Sequence, residues 1–454
     1  MPQEGHGIPN CAGHEHGGSP SASCVPKPRF EGFNDHAVDR SAPVAPATMS
    51  AAKRLRRLSS ARANSVASTA PAPAGRSGGA SGGAGSAASG GVGSDPSGTA
   101  ESVAPSPTSC APHRYRAETM THTPFWADGH LDLAYLAVNG RDMRAAVPDD
   151  APHALTLASM RQGRVRVALG TIFTELGGDP AKDRAAYRDS LDQEGAHRAG
   201  LLQLEWYEAM ERAGEIAIVR TRGDLARAAA GEGAPGIVIL MECADPIRSP
   251  DEVAWWHARG LRVVGMSWGH GSRYAGGNAR AGGLTDVGRR FVEALDACGV
   301  LHDASHLSRA AFDDLLAATD ARVIASHSNA QALLPESERH ITDAQIAAIR
   351  DRDGWIGLNL YGRFLAADRR ATIHDCVAHT MHVARIVGTD RVGLGSDLDG
   401  GFGRESLPLE VQSTGDYAKL LEALEAAGFA ALGGTREGFA HANLMRVLEA
   451  VLPA

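Results

Sequence analysis

From residue 120 onward the hydrophobic positions fall into short runs separated by polar, turn-rich stretches. Eight such runs span 126–135, 164–174, 236–242, 261–268, 299–305, 322–327, 354–360 and 391–397. Apolar runs of this length, rich in Val, Ile and Leu, read as strands buried on both faces of a parallel sheet. Most are separated by segments of helical periodicity. YRDSLDQEGAHRAGLLQLEWYEAMERAG carries Leu201, Leu204, Tyr207 and Met210 along one face. TDVGRRFVEALDACG opens on a Thr/Asp cap signal and ends in Gly, and SRAAFDDLLAAT follows the fifth run. A shorter run, EIAIVR at 215–220, reads as an extra strand or part of a crossover. Strand and helix alternating in this way predict an α/β fold, a (β/α)8 TIM barrel over residues 120–454. The rival is a doubly wound sheet, which collects its site at one switch point and less readily draws on so many strands.

Residues 1–119 are different in kind. They are dominated by Gly, Ser, Ala and Pro, as in AGRSGGASGGAGSAASGGVGS, with Phe30, Phe33 and Tyr115 as the aromatics. Such a segment buries too little apolar surface to offset its ordering entropy, which predicts a disordered tail. The Arg- and Ser-rich stretch from Met49 reads as a basic patch in a biased linker, and His6, His14 and His16 as incidental. Met120 stands directly before the first apolar run and is a candidate natural start.

Composition narrows the partners. The 454 residues carry a formal net charge of −8 and no lysine-rich run, which speaks against nucleic acid. No stretch approaches the roughly 18 continuous apolar residues of a membrane span. The six cysteines lack CxxC pairing and read as free thiols in a reducing compartment. With no apolar core of a secretory signal at the start, the expectation is a cytoplasmic protein.

Metal-type side chains stand at the C-terminal ends of five runs: His130 and Asp132 in DGHLDL, Glu242 in LMECADPI, His306 in HDASH, His327 in ASHS and Asp397 in GSDLDG. In a parallel barrel those ends meet at one mouth. Imidazoles and carboxylates without thiols suit hydrolytic zinc. Alternate strand residues share a face, so His130 and Asp132 can hold one ion. A carboxylate such as Glu242 after IVILM is costly to bury unless paired or metal-bound. Asp397 is placed to take a proton from activated water. Asp399 reads as a turn residue, and His302 as a histidine at the wrong end of its strand.

These residues resemble those of the renal (membrane) dipeptidases, zinc peptidases of the amidohydrolase superfamily. The likeness covers about 126–450 and is carried by DGHLDL, GTIFTE, LMECADPI, GLRVVGMSW, VLHDASHLS, VIASHSNA, RHITDAQIAAI, GLGSDLDG and ANLMRVLEAV. It implies two zinc ions per chain, with His130 and Asp132 on one, His306 and His327 on the other, and Glu242 bridging. It implies that a metal-bridging hydroxide cleaves the peptide bond of a dipeptide, that Asp397 handles its proton, and that Arg339 binds the substrate carboxylate. As to assembly, it admits a homodimer. Two departures stand out. Cys243 follows the bridging Glu where Gly is common, and Trp268 replaces a substrate-contacting histidine, with His270 two residues on. Both Trp268 and His270 are therefore candidates for substrate binding. The alternatives are another amide or lactam hydrolase on the same centre, or an inactive barrel acting as a binding protein.

Overall fold

The computed structural model describes residues 124–454. The tail expected to be disordered, its cysteines and histidines, and Met120 lie outside them. Each of the eight runs contains a strand: β1 (Trp126–Leu131), β2 (Val165–Ile172), β3 (Gly236–Met241), β4 (Leu261–Gly265), β5 (Leu301–Asp303), β6 (Val323–Ile324), β7 (Ile356–Leu358) and β8 (Val392–Leu394). The first six pair in parallel in chain order, and β7 pairs with β8, also in parallel. The run at 215–220 is an extra strand, Ala217–Ile218. It pairs with Gly236 and Ile237, whereas β4 joins β3 only from Ile239 onward.

Further backbone hydrogen bonds connect the two sheets. Ala325 N donates to Trp355 O and Gly357 N to Ala325 O, each at 2.9 Å. At the other side Asp397 N donates to His130 O at 3.1 Å.

Side chains alternate along the strands, so each strand feeds two cores. Val167, Leu169, Val238, Leu240, Val263, Leu301 and Ile324 pack in one cluster with Leu444, Val447 and Leu448 of the C-terminal helix Asn443–Val451. Ala168, Ile172, Ile237, Ile239 and Met241 belong to the other, with Leu204 and Tyr207 of helix Gln193–Arg212. Both cores are sealed, which explains why the strands read as continuous apolar runs. Trp355 is fully buried in the first cluster. A Cβ at Gly129, Gly357 or Gly393 would lie 2.6–2.8 Å from its indole carbons, so these strand glycines make its space.

The expected helices form where their caps stand. Thr285 accepts from Gly288 N ahead of Asp286–Ala297, and Ser308 from Ala311 N ahead of Arg309–Ala318. The connection from β5 to its helix is short, residues 304–308, whereas the one after β4 is long and carries a small hairpin of Ala275–Gly277 with Arg280–Leu284.

Candidate metal centre and active site

All five candidate ligands and Asp397 come together at the C-terminal ends of the strands, and all are buried. His130 is the penultimate residue of β1 and Asp132 follows it. Glu242 comes directly after β3, and His306, His327 and Asp397 each stand three residues past their strands. His306 and Asp397 adopt φ of +66° and +57°, a left-handed conformation that costs a non-glycine residue about 1–3 kcal/mol. The strand ends bend there to aim the side chains inward.

The donor atoms converge. His306 Nε2 lies 2.9 Å from His327 Nε2 and 3.0 Å from Glu242 Oε1. His327 Nε2 lies 3.5 Å from the same oxygen. The second oxygen, Glu242 Oε2, faces His130 Nε2 at 3.6 Å, and that nitrogen is 3.8 Å from Asp132 Oδ1. Two sets of donors, His130–Glu242–His327 and His130–Asp132–Asp397, each have their atoms within 4.8 Å of one another. His130 Nε2 is buried and makes no hydrogen bond. His306 Nδ1 faces Asn278 Oδ1 at 3.2 Å, and His327 Nδ1 faces Ser326 Oγ at 2.7 Å. With acceptors at both Nδ1 atoms, the two Nε2 lone pairs point at each other, an arrangement that a cation satisfies and a hydrogen bond does not. The residues present therefore fit a metal centre.

Electrostatics agree. Burial, then the charge on His130 and Arg339, lowers the His327 imidazole, and burial with Arg339 brings His306 down to about 4. Both are neutral at pH 7, the form that binds metal. Burial pushes His130 down, but Glu242, Asp132 and Asp397 outweigh it and raise it to about 10. Its surroundings thus favour a positive charge at this spot. Burial raises Asp132 to about 6 and lifts Asp397 well above the carboxylate range. Burial also opposes ionisation of Glu242, yet the three histidines hold it well below that range.

Several supporting residues had no signal in the sequence reading. The Thr171 hydroxyl donates to Asp132, and Asn359 Nδ2 to Asp397 Oδ2 at 2.9 Å. Asp128, fully buried, accepts from Ser396 N, Ser396 Oγ and Tyr417 OH at 2.8, 2.6 and 2.9 Å, tying β1 to the end of β8. Gly400 comes so near that a Cβ there would overlap Asp397 Oδ1 and stand 2.9 Å from Asp132 Oδ2.

Arg339 is 6% exposed, with Nη2 on His327 O at 2.7 Å and Nη1 on Ser328 Oγ at 3.0 Å. Its Nε has no partner, and no carboxylate lies within ion-pair distance among the described residues. Burial lowers its pKa, against the pull of Asp397 and Glu242. Trp268 is half-buried, its ring 6.0 Å from His306 and edge-on to Phe173 at 5.3 Å. His270 is exposed, its ring edge-on to that indole at 5.7 Å. Cys243 is buried against Tyr187, its Sγ 3.9 Å from the hydroxyl, and burial pushes the thiol up to about 12. It behaves as a small apolar residue. Asp399, at φ +60°, does more than make a turn: its carboxylate accepts from Ala154 N, Leu155 N and Arg141, anchoring the loop before helix Leu157–Gln162. His302 bonds Asp296 at 2.7 Å, away from the centre.

A family model for membrane dipeptidases (peptidase family M19) matches residues 114–453. Among solved structures, a metallopeptidase of family M19, dipeptidase AC, is 28% identical with a TM-score of 0.64, over 73% of this chain and 100% of its own. A Rhodobacter sphaeroides metallopeptidase, liganded with a phosphinate mimic of the dipeptide L-Ala-D-Ala, is 27% identical with a TM-score of 0.62, over 72% and 99%. Among curated proteins, dipeptidase tcpJ of Claviceps purpurea is 29% identical over 310 residues, which is 64% of this chain and 68% of that one.

Proposed function

The chain belongs to the membrane dipeptidase family, peptidase family M19, a family of metallodipeptidases, and from that premise we propose that it is a zinc-dependent dipeptidase acting at a two-ion centre. The observation that carries this reading is the division of Glu242, with Oε2 toward His130 and Oε1 toward His306 and His327. His130 and Asp132 would hold one ion, His306 and His327 the other, and Glu242 both. Imidazole and carboxylate donors without thiolate favour zinc. We read the hydrogen bonds from β6 to β7 and from β8 to β1 as closing a (β/α)8 barrel around this mouth.

When bound, the ions supply a water nucleophile at neutral pH and stabilise negative charge on the carbonyl oxygen. Asp397 takes the proton of the attacking water and delivers it to the leaving amine. Asn359 Nδ2 donates to its Oδ2 at 2.9 Å and orients the carboxylate for that transfer. Arg339, with a free Nε and no protein carboxylate, receives the C-terminal carboxylate of the substrate. Trp268 walls the site beside His306, and His270 stands at its outer rim, where both bear on substrate preference.

No helix among the described residues is long and apolar enough to cross a membrane. Among the described residues Cys243, Cys298 and Cys376 form no disulfide with one another. The mass in solution distinguishes a homodimer from a monomer.

The test is metal content together with hydrolysis of L,L- and L,D-dipeptides, L-Ala-D-Ala included, before and after chelation. Two zincs per chain and activity restored by zinc support the reading. Two zincs without dipeptide cleavage redirect it to other amides or lactams, and absence of bound metal overturns it.

A further inference from the structure

Ser326 touches two histidines that the proposed centre assigns to different ions. It is fully buried just beyond β6, its Oγ 2.7 Å from His327 Nδ1 and 3.4 Å from His130 Nδ1. The same Oγ lies 2.5 Å from Asp303 Oδ2 at the end of β5. Asp303 is buried and held in place by its other oxygen, since Oδ1 accepts from Ser305 N at 3.0 Å and Ser326 N at 2.9 Å.

The direction of each bond follows. Asp303 accepts at both oxygens, Oδ1 from the two backbone N–H groups and Oδ2 from the Ser326 hydroxyl, which donates. With its single proton committed, Ser326 Oγ can only accept from the imidazoles. His327 must then carry its proton on Nδ1, which leaves the Nε2 lone pair facing Glu242. The same hydroxyl accepts from His130 Nδ1–H at 3.4 Å, so the proton that His130 gives up to bind an ion is the one on Nε2, the buried nitrogen without a partner. Outer partners that fix imidazole tautomers in this way commonly set metal affinity.

We propose that Asp303 and Ser326 form one shared tether that sets the tautomer of both His327 and His130, and thereby couples the loading of the two ions. This rests on the two-zinc reading above. The other outer contacts are private: Asn278 touches His306, and the Thr171 hydroxyl touches Asp132.

Asp303→Asn tests it. The two backbone N–H groups require the amide oxygen, so the amide nitrogen turns to Ser326 and puts a donor where an acceptor stood. Ser326 then turns its own proton to its nearest remaining acceptor, His327 Nδ1 at 2.7 Å rather than Ser305 Oγ at 3.3 Å or His130 Nδ1 at 3.4 Å, which moves the imidazole proton to Nε2. In the full chain freed of metal and labelled with 15N-histidine, His327 is expected as Nδ1–H in the wild type and as Nε2–H in D303N. In a competition titration with a chromophoric zinc chelator, D303N and Ser326→Ala should weaken both zinc equivalents by about 10–100-fold, while Asn278→Ala weakens one. Wild-type affinity for both zincs in D303N and S326A, or loss of one equivalent only, overturns the shared tether. So does a His327 found as Nε2–H in the wild type, even where the chain takes up no zinc and the two-ion reading itself has failed.

Discussion

Gly400→Ala is the smallest change that should silence the site. Gly400 follows the turn after β8, and its N–H donates to Asp397 O at 3.0 Å. A Cβ at this position would overlap Asp397 Oδ1 and stand 2.9 Å from Asp132 Oδ2, inside the 3.0 Å that Cβ atoms essentially never breach. The backbone cannot retreat, because Asp397 N is bonded to His130 O at 3.1 Å. The carboxylate must therefore turn away by about 1 Å, and a displacement of that size at a reacting group costs about 100-fold in rate. In barrier height this is about 2.7 kcal/mol. Turning also strains the 2.9 Å bond from Asn359 Nδ2. Overpacking of a buried site should lower stability by about 1–3 kcal/mol. The assay is kcat for a good dipeptide substrate at saturating zinc, with urea unfolding alongside. Zinc saturation matters because Asp132 is crowded as well. A Gly400→Ala enzyme whose kcat stays within about fivefold of wild type would refute the reasoning, since an unmoved Asp397 carboxylate is incompatible with that Cβ.

Asp397→Asn should abolish turnover while leaving two zincs bound, read by metal analysis and a progress curve; a normal kcat removes it from proton transfer. Arg339→Ala should chiefly raise KM, and unchanged saturation would discard the carboxylate assignment. A pH effect on stability follows from His340 and His379, which burial brings down to about 3 and about 4. Above the unfolded value near 6.5 both states are neutral and nothing changes. Below it the unfolded chain binds protons that the native imidazoles refuse, so stability falls with pH until about pH 4 for His379. The slope is about 1.4 kcal/mol per pH unit for each histidine. Urea unfolding of His379→Gln between pH 7 and 5 should be shallower in pH by that amount, and parallel curves for variant and wild type would be the contrary result.

The cluster of candidate ligands was legible because a buried strand announces its own end. IVILM followed by Glu242, or VGLGS by Asp397, places a costly polar side chain where only a mouth can use it. The supporting residues gave no such signal. Asp128 acts through Ser396 and Tyr417, which lie 268 and 289 residues away, so no local period could reveal it. Asp303 and Ser326 look like ordinary strand-end polar residues until β5 and β6 lie side by side. Gly400 reads as a turn glycine beside Gly401, and the space it leaves for Asp397 belongs to tertiary structure alone. The left-handed backbone of His306 is likewise set by packing rather than by residue type. Asp399 was readable as a turn former, but its hold on Ala154 and Leu155 crosses 245 residues of chain.

The indole of Trp355, lodged against Gly129, Gly357 and Gly393, also constrains the order in which this sequence can change. Any of the three glycines replaced first meets indole carbons at 2.6–2.8 Å, whereas Trp355 replaced first leaves a hollow beneath the centre. Neither step is neutral, yet a smaller ring and one added methyl group could suit each other at Gly393, whereas a Cβ at Gly129 or Gly357 would still press on the backbone oxygen of Ser326. Substitutions at these positions should therefore be strongly non-additive. Swapping any one of these positions alone into a relative's chain should fail more often than exchanging the strands as a set.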